Sequence, residues 1–302
     1  MLFRYRNTKL VCSCRLYSVP AVDTWRKSIL SRTLTEVDTV TSSPVDLFSL
    51  TLDRPSPTKT PEKILPPNWH LLFFPPRLKE SELAPDGYDT IYSPPPPYIQ
   101  RMWAGGSVEF NTQNPLRVGD ELTQKTQCTD VELKKGGGNK EMCFVWLEKV
   151  LENKQGWSVR DRRCFVYLPR ADENKKTTRR NVILKKIPDF ERTWIPSPIL
   201  LFRYSALTFN SHLIHYDHDY STHIEHHPER LVHGPLTATL LLELIGENTK
   251  KKVKNFKYRA VSPFYVNEKL RVCGKESGQG EFEVWAENAE GGVGMTGSVE
   301  VE

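Results

Sequence analysis

The segment Leu236–Ile245 reads Leu-Thr-Ala-Thr-Leu-Leu-Leu-Glu-Leu-Ile, and wound as a helix it is apolar around nearly its whole circumference. A helix of this kind has no face to give to water, so it must be enclosed on most sides. A sheet curling around one buried helix supplies that enclosure. Pro235 suits the first helical turn, where its missing N–H costs no hydrogen bond. Gly246 is expected to mark the C-terminal end.

The rest of the chain offers the strands. From Pro115 to Tyr167 the sequence alternates, is rich in β-branched and aromatic residues, and reads as antiparallel sheet. Part of this pattern recurs. Asn114-Pro-Leu-Arg-Val-Gly-Asp-Glu-Leu122 matches Ser262-Pro-Phe-Tyr-Val-Asn-Glu-Lys-Leu270 at its Pro, Val, acid and Leu positions. Val145-Trp146 then matches Val284-Trp285, and alternating strands follow at Arg163–Leu168 and Ser298–Val301. The two offsets, 148 and 139 residues, place an insertion in the first copy, with the glycine-rich stretch Lys134–Lys140 as its expected position. Two copies of one unit point to duplication of a single α+β fold.

The 302 residues leave room for two such units. Apolar residues at 38% and charged residues at 26% suit a soluble globular enzyme. No run approaches the 18 or so apolar residues that a membrane span requires, so no stable membrane insertion is expected. Residues 18–60 are rich in Ser, Thr and Pro, with a helix-like stretch near Val22–Leu34. Residues 62–110 contain Pro75-Pro76 and Pro94–Pro97, which interrupt regular structure. Residues 169–186 are polar and basic and read as a linker between residues 18–168 and 187–302.

The net charge of +5 is concentrated at the start. Arg4, Arg6, Lys9 and Arg15 precede the first carboxylate, Asp23. This basic, acid-free opening reads as a mitochondrial presequence, residues 1–17, cleaved after Tyr17 and directing the chain to the matrix. Its removal leaves about +1, which carries no signature of nucleic-acid binding. Cys128, Cys143, Cys164 and Cys273 form no C-x-x-C pair, so reduced, buried thiols are expected.

Seven of the eight histidines lie within 22 residues: His212, His215, His218, His223, His226, His227 and His233. Metal binding is one reading, with Asp217, Asp219 and Glu225 nearby, but H-E-x-x-H and neighbouring cysteines are missing. Acid/base chemistry is the other. The run from Tyr204 to Asp217 ends Phe-Asn210-Ser-His212-Leu-Ile-His215-Tyr-Asp217, and Leu231-Val-His233-Gly234-Pro-Leu236 follows.

These two segments resemble the motif pair of the MaoC-like, R-specific hydratase/dehydratase family of hot dog proteins. That motif runs Asp-x-Asn-Pro-(Ile/Leu)-His, with His-Gly at the start of the central helix. The overall likeness is greatest to the fungal mitochondrial 3-hydroxyacyl-thioester dehydratases of type 2, whose features Pro66-Pro67-Asn68-Trp69-His70 and Arg101-Met-Trp-Ala-Gly-Gly106 also match. The resemblance implies a double hot dog, two antiparallel sheets each wrapped around a central helix. Its first unit would be degenerate and its second catalytic.

One departure matters: the family's Asp falls on Asn210, its Asn on His212 and its His on His215. Asparagine cannot accept a proton as a carboxylate does. Mesaconyl-type CoA hydratases share this Asn-x-His-x-Ile-His form. His215 is then the expected base, with Asn210 orienting water or the substrate hydroxyl, and His212, Asp217, His233 and Tyr204 as further binding residues.

The implied reaction removes a proton beside a thioester carbonyl and expels hydroxide from the next carbon. An imidazole, with an ordinary pKa of roughly 6.5, can take the first proton and return one to the leaving oxygen. The Gly234 N–H, free at the helix start, is placed to receive charge developing on the thioester oxygen. Loss of such a donor typically costs about 3 kcal/mol of transition-state stabilisation. No cofactor and no metal is implied.

The expected activity is dehydration of (3R)-hydroxyacyl thioesters carried on acyl carrier protein or CoA. Two alternatives stand beside it. One is a short-chain dicarboxylic CoA hydratase of mesaconyl or itaconyl type, which would want a buried arginine facing the acyl tunnel. The other is a non-catalytic acyl-thioester-binding module, favoured by Asn210. Monomer and homodimer are both compatible with two units in one chain.

Overall fold

The computed structural model describes residues 19–136, 141–169, 179 and 181–302. The expected presequence, the middle of the linker and the tip of the Lys134–Lys140 stretch lie outside these residues.

The chain opens with α1 (Val19–Leu30), β1 (Thr33–Thr39) and α2 (Ser42–Thr51). An irregular stretch then leads to β2 (Tyr98–Phe110), β3 (Glu121–Lys135), β4 (Glu141–Asn153) and β5 (Gly156–Pro169). The second half runs β6 (Phe190–Trp194), α3 (Pro198–Leu207), α4 (Gly234–Thr249), β7 (Val253–Ala260), β8 (Leu270–Gly278), β9 (Glu281–Asn288) and β10 (Val293–Val301). All ten strands join one antiparallel sheet in the order β1-β3-β4-β5-β2-β7-β10-β9-β8-β6.

That order is one five-strand pattern read twice, in opposite directions from the β2·β7 seam. Asn114–Leu122 leads from β2 into β3, and Ser262–Leu270 leads from β7 into β8. Val145-Trp146 and Val284-Trp285 occupy the fourth strand of each pattern. The extra residues of the first copy are spread along a longer hairpin: β3 and β4 have 15 and 13 residues, β8 and β9 have 9 and 8.

Helix α4 packs across β6, β7, β8 and β9. Leu236, Leu240, Leu241, Leu242, Leu244 and Ile245 are all buried. Its buried hydroxyls are satisfied locally: Thr237 donates to His233 O and Thr239 to Pro235 O. The helix continues past Gly246 to Thr249, and Lys250 takes the left-handed capping conformation with φ 54°. Asn248 and Thr249 donate back to Leu244 O and Ile245 O, which carries the last turn beyond the glycine.

Two other expectations are corrected. The helix-like stretch at Val22–Leu34 ends at Leu30, because Thr33–Thr39 alternates exposed and half-buried residues and pairs with β3. And the two halves do not form two sheets each around its own helix. They share one sheet, and α4 is its one long central helix among the described residues. In the first half the stretch between α2 and β2 contains only the 3-10 turns Pro57–Lys59, Trp69–Leu72 and Glu80–Glu82. Its repeated prolines lack the donors a helix interior needs.

Candidate active site

A cavity of about 1450 Å³ opens between the two halves. Asn210, His212, His215, Gly234 and Tyr204 line it from the second half. Asp86, Tyr88, Arg101, Trp103 and Arg163 line it from the first.

Ser197 caps α3 by accepting the Leu200 N–H, and Pro198 opens its first turn. This helix brings Tyr204 and Ser205 inward, both buried. Asn210 follows a left-handed Phe209 (φ 49°). Its side-chain oxygen accepts the His212 N–H at 3.1 Å, a local turn of the type asparagine favours. The turn Leu213–His215 is then clamped from two sides. Leu213 donates its N–H to Asp86 O at 2.9 Å, and Leu231 donates its N–H to Ile214 O at 2.9 Å.

His215 is 8% exposed. Its Nδ1 lies 2.8 Å from Leu231 O. A carbonyl can only accept, so Nδ1 carries the proton and Nε2 keeps its lone pair. Burial, reinforced by the Arg101 charge, lowers the pKa to about 4 against the pull of the Leu231 carbonyl. The imidazole is therefore neutral and ready as a base near neutral pH.

His233 sits at the cap of α4, fully buried. Its ring stacks on His215 with centroids 3.6 Å apart and planes 21° apart. Ser205 Oγ lies 2.8 Å from its Nε2. His212 meets His215 edge-on at 5.6 Å, and its Nε2 is 3.3 Å from Asp86 Oδ2. Burial holds both His212 and His233 well below the usual histidine range. Tyr204 stands edge-on to His233 at 4.8 Å, its hydroxyl pKa raised by burial. Gly234 follows directly, at the first position of α4. A Cβ built there would sit 3.3 Å from Trp103 Cβ and Cγ, so glycine keeps this amide open beside the indole.

The structure thus gathers His215, Gly234, Asn210, His212 and Tyr204 around one cavity. His233 backs His215 rather than lining the space. Asp217 does not line it either; its carboxylate accepts the Tyr220 N–H at 2.9 Å and holds the next turn. Of the other histidines, His218 and His223 are exposed.

Sequence reasoning did not identify the first half's contribution. Arg101 places its guanidinium 2.9 Å from the Tyr88 ring centroid and contributes to the depressed pKa values of His212 and His215. Trp103 donates to Tyr258 Oη at 3.1 Å and packs on Gly234. Beneath it, Arg163 and His70 converge on the buried Asp161 carboxylate. The Pro66–His70 and Arg101–Gly106 motifs were the signals that pointed to this half.

A buried neutral imidazole and a free helix-start amide thus line one cavity on a fold built from a single curled sheet and a buried helix. Comparison with known proteins identifies the family. The chain belongs to the hydroxyacyl-thioester dehydratase type 2 family, whose profile matches residues 68–266. It is 33% identical over 255 residues to the mesaconyl-C(4)-CoA hydratase of Chloroflexus aurantiacus, covering 83% of this chain and 89% of that protein. It is 31% identical over 271 residues to the mitochondrial hydroxyacyl-thioester dehydratase type 2 of Schizosaccharomyces pombe, covering 80% and 89%. A MaoC-like dehydratase structure from Phytophthora capsici superposes with a TM-score of 0.67 at 17% identity, covering 92% of this chain and 97% of that one. The protein is accordingly an enzyme, a hydro-lyase of the hydroxyacyl-thioester dehydratase/hydratase kind.

Proposed function

We propose that this enzyme dehydrates (3R)-hydroxyacyl thioesters to trans-2-enoyl thioesters in mitochondrial type II fatty acid synthesis. The two halves would be two hot dog units joined in one continuous sheet, with residues 18–168 forming a degenerate unit without a long central helix and 187–302 the catalytic one. The observation that carries this reading is His215, its Nδ1–H tied to Leu231 O and its Nε2 left free in a cavity shared with the Gly234 amide.

In the forward direction Nε2 of His215 takes the proton from the carbon beside the carbonyl. The Gly234 N–H binds the oxygen on which charge develops. The same imidazolium returns the proton to the leaving hydroxyl, which departs as water, so the residue ends unchanged. One base serving both carbons requires the departing proton and hydroxyl to lie on the same face of the acyl chain. The low pKa of His215 belongs to the empty site; negative charge on the substrate oxygen gives the imidazolium a counter-charge and restores its basicity. Asn210, its oxygen engaged by the His212 amide, has its side-chain NH₂ left to hold the hydroxyl or water.

Two relatives are named as mitochondrial dehydratases, and the basic, acid-free opening at residues 1–17 supports a matrix location. Because one chain supplies both sides of the site, a monomer would suffice. The test is hydration of crotonyl-CoA by purified protein, followed at the enoyl absorbance. Turnover abolished by His215→Ala, in a protein that still melts cooperatively, is the expected result. An unchanged rate in that variant removes the assignment.

Arg101 favours a second reading. It is a half-buried arginine in the cavity, beside His212 and His215, with no carboxylate partner within ion-pair distance among the described residues. A short acyl group carrying its own carboxylate could pair with it, as the name of the Chloroflexus relative would require. Arg101→Gln should then raise KM for a carboxylated enoyl thioester and leave crotonyl turnover nearly unchanged.

A further inference from the structure

The seam between the two halves is short. β2 pairs with β5 from Tyr98 to Phe110, but with β7 only over Gly105–Glu109 against Arg259–Asn255. Residues 98–104 therefore have a strand on one side and none on the other. Consecutive residues Arg101, Met102, Trp103 and Ala104, whose side chains alternate between the two faces, all line the active-site cavity, so the cavity is bordered by both faces of β2 beyond its pairing with β7.

A second cavity of about 710 Å³ lies on the opposite face of the sheet, against the same seam. Side chains alternate along a strand, so Arg162 and Cys164 line this groove while Arg163 and Phe165 face the active site. Ala104, Phe144 and Arg259 line both spaces. The two spaces therefore share walls at the end of the seam.

The groove is basic. Arg162, Lys257 and Arg259 are exposed, and none has a carboxylate within ion-pair distance among the described residues. Lys134 and Lys186 line it too, but they are paired with Glu132 and Glu283. Lys257 and Arg259 are two residues apart on β7, about 7 Å, and Arg162 lies two strands away, about 10 Å. Gly105 and Gly106 line the groove between them. Two of the groove's aromatic rings are covered by its own cations, Arg162 4.6 Å from the Trp146 ring and Lys134 4.9 Å from the Phe144 ring, and the other two, Tyr258 and Trp285, are buried. The surface therefore offers spread positive charge and little stacking for a nucleotide base.

We infer that Arg162, Lys257 and Arg259 form the docking face for an acidic carrier protein, whose pantetheine arm enters the active site past the stretch of β2 that extends beyond its pairing with β7. This rests on the thioester reading of the site and adds the route and the surface. Charge complementarity and continuity with the cavity carry it. Dispersed cations suit dispersed carboxylates on a protein, which speed productive encounter and make it sensitive to salt.

The test uses the full chain carrying Arg162→Glu and Lys257→Glu together, assayed on one enoyl group attached to acyl carrier protein, to CoA and to N-acetylcysteamine. The expected result is a loss of about ten-fold or more in kcat/KM with the carrier protein, through KM, and a flattened salt dependence. Turnover of the N-acetylcysteamine thioester should be unchanged, which also shows that the variant is folded. Unaltered kcat/KM on the carrier protein overturns the proposal. An equal loss on CoA and carrier protein also overturns it, and assigns the groove to the phosphates of CoA instead. No turnover of the small thioester even by the parent enzyme would reject the thioester reading itself.

Discussion

His215 works from a position that burial makes neutral. Its pKa of about 4 lies below the roughly 6.5 of an unfolded histidine, so the unfolded chain binds the extra proton between these values. The sign follows: the histidine leaves stability undiminished above about pH 6.5, and stability falls as pH drops toward 4. The shift corresponds to roughly 3 kcal/mol from this residue. Tm should accordingly decline steeply across that window, and His215→Asn should shallow the decline; equal slopes for both proteins would contradict the assignment. His215→Ala should lower kcat by about 100- to 10,000-fold, the usual reach of general acid–base catalysis. Both predictions concern a residue marked out by its resemblance to the motif pair of the MaoC-like family. The same could not be done for Asp86, Tyr88 and Arg101. They lie more than 100 residues from His215, and nothing local to them announces the loop they meet.

At the scale of elements, α4 does two jobs, filling the core and ending in the Gly234 amide. Leu241 is completely buried in it, and Leu241→Ala should cost about 2–5 kcal/mol by urea titration while leaving the site's residues in place. Gly234→Ala should act the other way. A methyl group 3.3 Å from Trp103 forces that indole or the amide to move. Activity should fall by about ten-fold or more, with a stability change of about 1–3 kcal/mol. A variant with parental kcat would mean that this amide does not bind the thioester oxygen. Helix α4 was legible because an all-round apolar segment has only one kind of home. Its end was not, because the back-bonding of Asn248 and Thr249 outweighs a glycine. β1 was hidden by its mixed polarity, Thr-Leu-Thr-Glu-Val-Asp-Thr, which alternates only weakly.

For the whole molecule, the repeat of Asn114–Leu122 in Ser262–Leu270 foretold a twice-used strand order. It could not foretell that the two copies would pair edge to edge, since that contact joins β2 and β7 across about 150 residues. Because the site takes Arg101 and Trp103 from one half and His215 from the other, residues 187–302 expressed alone should show no hydratase activity. Mixing them with the complementary fragment should restore some; full activity in the isolated fragment would contradict a shared site.

The stretch between α2 and β2 has only 3-10 turns where its counterpart has a long helix, and it lines the cavity through Asp86 and Tyr88. On the proposed function, the substrate's acyl chain would pack there as a borrowed piece of the interior, supplied from outside on every turnover. A tight, non-reacting thioester analogue at 100 times its Kd should firm the first half by about 2.7 kcal/mol, visible as a raised melting temperature and slower amide exchange along β4 and β5.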